Sequence, residues 1–125
     1  STNVDPSNAI DVASSTENVS PIITTSSSPQ KVKFAKFLSE NNIVMYSAYW
    51  CPHCHDQKQL FGEEAVKELK VVECAKDGKD NEYELCQTKG ISGFPSWEIN
   101  GEIISGTRDL NELATKTDYQ GDLNF

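Results

Sequence analysis

The sequence predicts one α/β domain, a central mixed four-stranded sheet flanked by helices on both faces. Two observations carry this expectation. Segments with helical and strand character follow one another in the order α-β-α-β-α-β-β-α, and two helix-separated strands followed by a hairpin call for parallel and antiparallel neighbours in one sheet. The hairpin is signalled by Asn100-Gly101, a pair suited to a tight turn, set between Ser96-Trp97-Glu98-Ile99 and Glu102-Ile103-Ile104-Ser105.

The elements are justified in order. Residues 1–29 read as a flexible Ser/Thr-rich linker, with three prolines and no periodicity able to bury a face. The domain is expected over 30–125. Val32, Phe34, Ala35, Phe37 and Leu38 recur at helical spacing up to Glu40-Asn41-Asn42. The apolar and aromatic run Ile43 to Tyr49 reads as a strand buried on both faces, and it delivers the chain to Cys51. A helix is predicted from Pro52 to Leu69, with Leu60, Phe61, Ala65 and Leu69 as its core stripe and Gly62 as a bend or close-packing point rather than an end. Lys70-Val71-Val72-Glu73-Cys74 is a further strand, Asp77-Gly78-Lys79-Asp80 a turn, and 81–88 a short helix ending near Gly90. After the hairpin, Gly106 leads to a last helix over 109–115.

A chain of 125 residues with 37% hydrophobic and 24% charged residues has room for one modest core. Its net charge of −8 would repel nucleic-acid phosphates and anionic lipid headgroups, so neither is an expected partner. No apolar run approaches the roughly 20 residues of a membrane-spanning helix, so direct membrane insertion is not expected. The chain shows no initiating Met, basic n-region or apolar h-region. Ser1 therefore reads as a truncated or processed end, and the compartment does not follow from it.

Cys51, Cys54, Cys74 and Cys86 permit three pairings, of which proximity favours 51–54; the even count with one tight pair favours an oxidising compartment. Thiol–disulfide exchange needs an attacking thiolate and a second thiol near enough to resolve the mixed disulfide. Cys51-Pro52-His53-Cys54, at the junction of a strand and a helix, meets both needs. Cys51 would cap the helix, where free backbone N–H groups and the dipole stabilise a thiolate. Pro52 suits the first helical turn, and His53 offers a donor or positive charge beside the sulfur. Tyr49 and Trp50 are expected to form an apolar collar for a docked peptide. The plainer alternative is an inert disulfide or buried thiols. Cys51 to His55 also fits the C-x-x-C-H pattern of covalent haem attachment, but only Met45 and His53 remain as further axial ligands and neither is well placed. Zinc on Cys51, Cys54 and His55 lacks a second ligand pair at finger-like spacing, and no metal is expected. Gly93-Phe94-Pro95, just before a strand, places a proline where it need not donate to the ladder; a cis Phe94–Pro95 bond would set backbone groups beside the cysteines for an incoming peptide.

Tyr49-Trp50-Cys51-Pro52-His53-Cys54, Gly90-Ile91-Ser92-Gly93-Phe94-Pro95, Asn100-Gly101 and Gly106 together resemble the thioredoxin superfamily over about residues 30–117. The resemblance implies a thioredoxin-like fold, with Cys51 as nucleophile, Cys54 as resolving thiol and Pro95 as the cis-proline. The Pro-His dipeptide is more similar to that of periplasmic thiol oxidases than to the Gly-Pro of reducing thioredoxins. Val72-Glu73-Cys74, Leu85-Cys86, Gly90-Ile91 and Phe94 to Gly101 resemble, more narrowly, the thioredoxin-like domain fused to bacterial and plastid homologues of vitamin K epoxide reductase.

That narrower likeness implies a domain that oxidises cysteines of folding proteins and passes the electrons to a membrane vitamin K epoxide reductase-like domain. It also implies a second disulfide, Cys74–Cys86. No cofactor is expected in this chain, the quinone belonging to the membrane partner, and the isolated domain is expected to be a monomer. The implied place is the periplasm or thylakoid lumen, on a tether to a membrane protein. One departure stands out. Thioredoxins carry a buried Asp six residues before the first cysteine, and this chain has Met45 there. Loss of that acid weakens the case for an efficient reductase and removes a charge that would disfavour nearby thiolates. The alternatives are a disulfide isomerase or reductase, and a non-enzymatic peptide-binding module with a structural disulfide.

Overall fold

The computed structural model describes residues 18–125; the first 17 residues of the stretch read as a linker lie outside the described residues. Among the described residues nine elements follow one another: α1 Pro29–Glu40, β1 Val44–Ser47, α2 Pro52–Phe61, α3 Glu63–Val66, β2 Lys70–Glu73, α4 Tyr83–Thr88, β3 Ser96–Ile99, β4 Glu102–Ser105 and α5 Leu110–Lys116. The sheet order is β2-β1-β3-β4. β1 runs parallel to β2 with Met45 opposite Val71, and antiparallel to β3 with Met45 opposite Trp97. β3 and β4 form the hairpin, with Asn100 and Gly101 at φ 51° and 83° in its turn. The fold is the expected α/β architecture with a mixed four-stranded sheet.

Alternation along β1 divides the core, because successive strand residues point to opposite faces. Met45 faces a large cluster that includes Phe34 and Leu38 of α1, Phe61 of α2, Trp97 of β3 and Leu113 of α5. Tyr46 faces a smaller one with Val72, Cys74 and Cys86, against which Leu85 and Ile91 pack. Among the described residues helices therefore cover both faces, α4 lying on the thinner one. Past α5, Tyr119 and Phe125 pack tilted against Phe34 at 4.8 and 5.1 Å between ring centroids and close the α1 side.

The helix predicted over 52–69 is broken. Gly62 sits at φ +95°, outside helical space, and ends α2. A Cβ there would lie 2.5 Å from Ser27 Oγ and 2.7 Å from the Ser26 backbone, so the close-packing expectation holds while the continuous helix does not. Leu60, expected in the core, is exposed, because the inward stripe of α2 is Cys54, Gln57, Lys58 and Phe61. Two polar residues occupy core positions there, which hydrophobic periodicity does not register.

Residues 18–28, within the stretch read as a linker, lie against α2 and α3. Thr25 Oγ1 donates to the Gln59 carbonyl at 2.7 Å, Ser27 Oγ donates to the Phe61 carbonyl at 2.7 Å, and Ser27 N donates to Glu64 at 2.7 Å. Ser28 then caps α1, its hydroxyl accepting from Lys31 N, with Pro29 in the first turn. The hydroxyls that suggested a tether satisfy the broken helix end at Gly62.

Candidate active site

The strand β1 and the helix α2 meet at Cys51. Its backbone is extended (φ −86°, ψ 117°) and its N–H donates to the Ala48 carbonyl, so it enters α2 as the N-cap. The capping atom is sulfur: Cys51 Sγ accepts from Cys54 N at 3.4 Å. A backbone N–H of the first helical turn is thus satisfied by the sulfur, in the place where a side-chain oxygen usually caps a helix. Pro52 fills the next position, where no donor is lost. Both cysteines are free thiols, Cys51 7% exposed and Cys54 1%.

The segment before β3 closes the other side. Phe94–Pro95 is a cis peptide bond, as the resemblance to thioredoxins implied. Pro95 is fully buried, its carbonyl accepts from Gly106 N at 2.7 Å, and the Phe94 carbonyl lies 3.7 Å from Cys51 Sγ. Trp50 packs edge-on to Phe94 at 5.9 Å and is 58% exposed, a ring left facing solvent beside the thiols. Tyr49 is held differently. Its hydroxyl donates to Asp77 at 3.0 Å and its N–H to Glu73 at 3.1 Å, which ties it to the loop after β2. Trp50 and Phe94, with Ile91, Tyr83, Cys74 and Cys86, line a cleft of about 290 Å3.

His53 projects outward, 4.0 Å from Asp56, and its carbonyl accepts from Thr107 Oγ1. His55 pairs its Nε2 with the Gln59 amide at 3.3 Å. Among the described residues, no group of three or more His, Cys, Asp or Glu side chains converges to hold a metal ion.

Burial pushes the Cys54 thiol up to about 11, against opposing help from the Ser47 hydroxyl and the Ala48 backbone. Ser47 Oγ is buried and, among the described residues, no partner stands within hydrogen-bond distance of it. Sequence reasoning missed the supports of this site. Gln57 is fully buried; its Oε1 accepts from Trp97 Nε1 at 3.1 Å and Arg108 N at 2.8 Å, and its Nε2 donates to the Arg108 carbonyl at 2.9 Å. Lys58, 7% exposed, lies one turn below Cys54. A polar residue three or four positions after Cys54, on the face that carries Phe61, was the available signal.

Cys74 and Cys86 are joined in a disulfide that links the end of β2 to α4, with Cα atoms 5.7 Å apart. The pairing implied by the narrower resemblance is present.

Comparison with known proteins places these features in a family. The thioredoxin family matches over residues 24–118. The thiol-disulfide oxidoreductase LTO1 of Arabidopsis thaliana is 44% identical over 103 residues, which cover 80% of this chain and 27% of LTO1. The chain thus corresponds to about a quarter of that relative. Glutaredoxin-1 of Saccharomyces cerevisiae is 34% identical over 92 residues, covering 69% of this chain and 84% of the glutaredoxin. A protein disulfide-isomerase of Aspergillus niger is 33% identical over 70 residues, 53% of this chain and 13% of the isomerase.

Proposed function

We propose that this chain, which belongs to the thioredoxin family, oxidises cysteines of folding proteins through Cys51 and Cys54 and is itself reoxidised by a membrane vitamin K epoxide reductase-like domain. Dithiol/disulfide exchange is the enzymatic activity that the family and its oxidoreductase and isomerase relatives support. The observation that carries the site assignment is the sulfur of Cys51 capping α2, with the Cys54 N–H on one side and the Phe94 carbonyl on the other.

In this reading a substrate thiolate attacks Cys51 Sγ of the oxidised pair, and Cys54 leaves as a thiolate with the bonding electrons. A second substrate thiolate then attacks the substrate sulfur of the mixed disulfide, Cys51 leaves, and the substrate holds the new disulfide. The exposed Trp50 ring and the cleft beside Phe94 supply a surface for the substrate segment. The oxidising direction is supported by the Pro52-His53 dipeptide, which resembles that of periplasmic thiol oxidases although the His53 ring points away from the sulfurs, and by apolar Met45 where reducing thioredoxins carry an acid. The membrane partner with its quinone, and a periplasmic or thylakoid-lumenal place, are supported by the narrower resemblance of residues 72–101. Among the described residues no helix is long and apolar enough to cross a membrane.

The test is the reduction potential of the Cys51–Cys54 pair. A value well above the roughly −270 mV of thioredoxin supports the oxidase, and a value near it transfers the chain to the reductases. Cys54→Ser is expected to accumulate mixed disulfides through Cys51. Failure of a vitamin K epoxide reductase homologue in quinone-loaded vesicles to reoxidise the reduced chain removes the membrane partner.

A further inference from the structure

Cys54 is the less accessible thiol, and a base must reach it through the protein interior. The position that an acid takes in thioredoxins is occupied here by Met45, fully buried and apolar. Lys58 lies on the inward face of α2 at the i+4 position from Cys54, the spacing that makes helix side chains neighbours. Its Nζ donates to Ser20 Oγ at 3.0 Å, and among the described residues no carboxylate stands within ion-pair distance of it. Ser20 belongs to the segment laid along α2, and that segment helps keep water from the amine. A buried ammonium without a counter-ion is costly, so burial pulls Lys58 below the ordinary lysine range while it pushes Cys54 up. The charged or titratable groups that act on Lys58 are Cys54 and Cys51 on α2 and Glu73 at the end of β2. Glu73 Oε2 is already engaged by Tyr49 N and Ala75 N. The Ser47 hydroxyl, 1% exposed and unpartnered, completes the surroundings of Cys54 from β1.

We infer that Lys58 is the proton partner of Cys54, with the Ser47 hydroxyl as hydrogen-bond donor to the Cys54 thiolate. The inference rests on the reading of Cys51–Cys54 as the exchange centre and adds to it the route of the proton. When a mixed disulfide on Cys51 is resolved internally, the Lys58 amine takes the Cys54 thiol proton. The Cys54 thiolate attacks Cys51 Sγ, the Cys51–Cys54 bond forms, and the bond from Cys51 to the partner sulfur breaks with its electron pair on the partner thiolate. In the reverse sense, Cys54 leaves as a thiolate and the Lys58 ammonium returns the proton. The lysine does from α2 what the missing acid does from β1.

The experiment loads Cys51 with a thionitrobenzoate group and follows release of the coloured thiolate by Cys54 across pH, in wild type, Lys58→Met, Lys58→Arg, Glu73→Gln and Ser47→Ala. Lys58→Met is expected to slow release about tenfold at neutral pH and to move its profile about one unit alkaline, the two being the same quantity. Lys58→Arg, charged but unable to accept a proton, is expected to move the profile in the acid direction. Ser47→Ala is expected to slow release by about threefold. The arginine variant carries the test if the methionine variant does not fold. Profiles that coincide with wild type in both lysine variants overturn the inference, as does a shift confined to Glu73→Gln. Full exchange activity in Cys51→Ser overturns the exchange-centre reading instead, and release by Cys54 in wild type keeps the two failures distinct.

Discussion

The two cysteine pairs are almost equally hidden from water, yet one is a pair of thiols and the other a bond. Cys51 and Cys54 are 7% and 1% exposed, and Cys74 and Cys86 are 4% and 3%. Burial therefore does not separate a reactive centre from a staple. The polar surroundings do. Cys51 receives a helix N–H and faces the Phe94 carbonyl, and Cys54 has a hydroxyl and an amine within its surroundings. The disulfide pair packs with Tyr46 and Val72 in a cluster against which Leu85 and Ile91 lie. Ser47 lies between the two: its carbonyl accepts from Cys74 N at 2.7 Å, while its hydroxyl biases Cys54.

The difference can be broken most severely at the reactive pair. Cys51→Ser is expected to reduce thiol oxidation of a reduced model protein to background while leaving the melting temperature within a few degrees. Retained turnover would remove Cys51 from its role. Converting Cys74 and Cys86 together to Ser is expected to do the reverse. The bridge spans a sequence separation of 12 residues and anchors a six-residue helix too short to persist alone. Its loss is expected to cost about 3 kcal/mol, or on the order of 10 °C in Tm, with the potential of the Cys51 pair little changed. A collapse of exchange activity in the still-folded variant would show that the second pair is more than a staple.

Two smaller changes sharpen the contrast by touching the supports of each pair. Gln57→Leu orphans Trp97 Nε1 and both backbone groups of Arg108, loosening α2 against β3. About 2 kcal/mol of destabilisation in urea is expected, together with slower exchange. On the other side, Tyr46 donates to Glu98 at 2.6 Å and Lys89 pairs with it at 2.9 Å, which together hold the Glu98 carboxyl below the usual carboxylate range. Stability from a lowered carboxylate is present above its unfolded value and lost as pH falls through the folded one. Glu98→Gln is expected to cost less than about 1 kcal/mol near neutrality and nothing in strong acid. A gap between the two proteins that widens with acid would contradict that sign.

Much of the reactive pair was legible because its logic is local. A buried strand, a cysteine, a proline and a second cysteine one turn on already describe a capped helix, and Asn100-Gly101 describes its own turn. Pro95 before β3 needed only the rule that proline cannot donate to a ladder. The supports were not legible because their partners are distant. Gln57 meets Trp97 across 40 residues and Arg108 across 51, and Tyr46 meets Glu98 across 52. Ser27 ties to Phe61 across 34, so a Ser/Thr-rich stretch with no hydrophobic period becomes a fitted strap over 18–28. Gly62 was visible as an interruption, but its positive φ and its contact with Ser26 exist only once the strap is in place.

Short-range chemistry thus specified the order of the elements, the hairpin and the sulfur at the head of α2, because backbone sterics and helix capping act within a few residues. Packing determined which polar side chains could stay inside. Gln57 is buried because three partners converge on it, Lys58 because Ser20 and the strap cover it, and Ser47 because β1 lies at the centre of the sheet. A polar group leaves water only where such partners meet, and that meeting is a property of the folded chain.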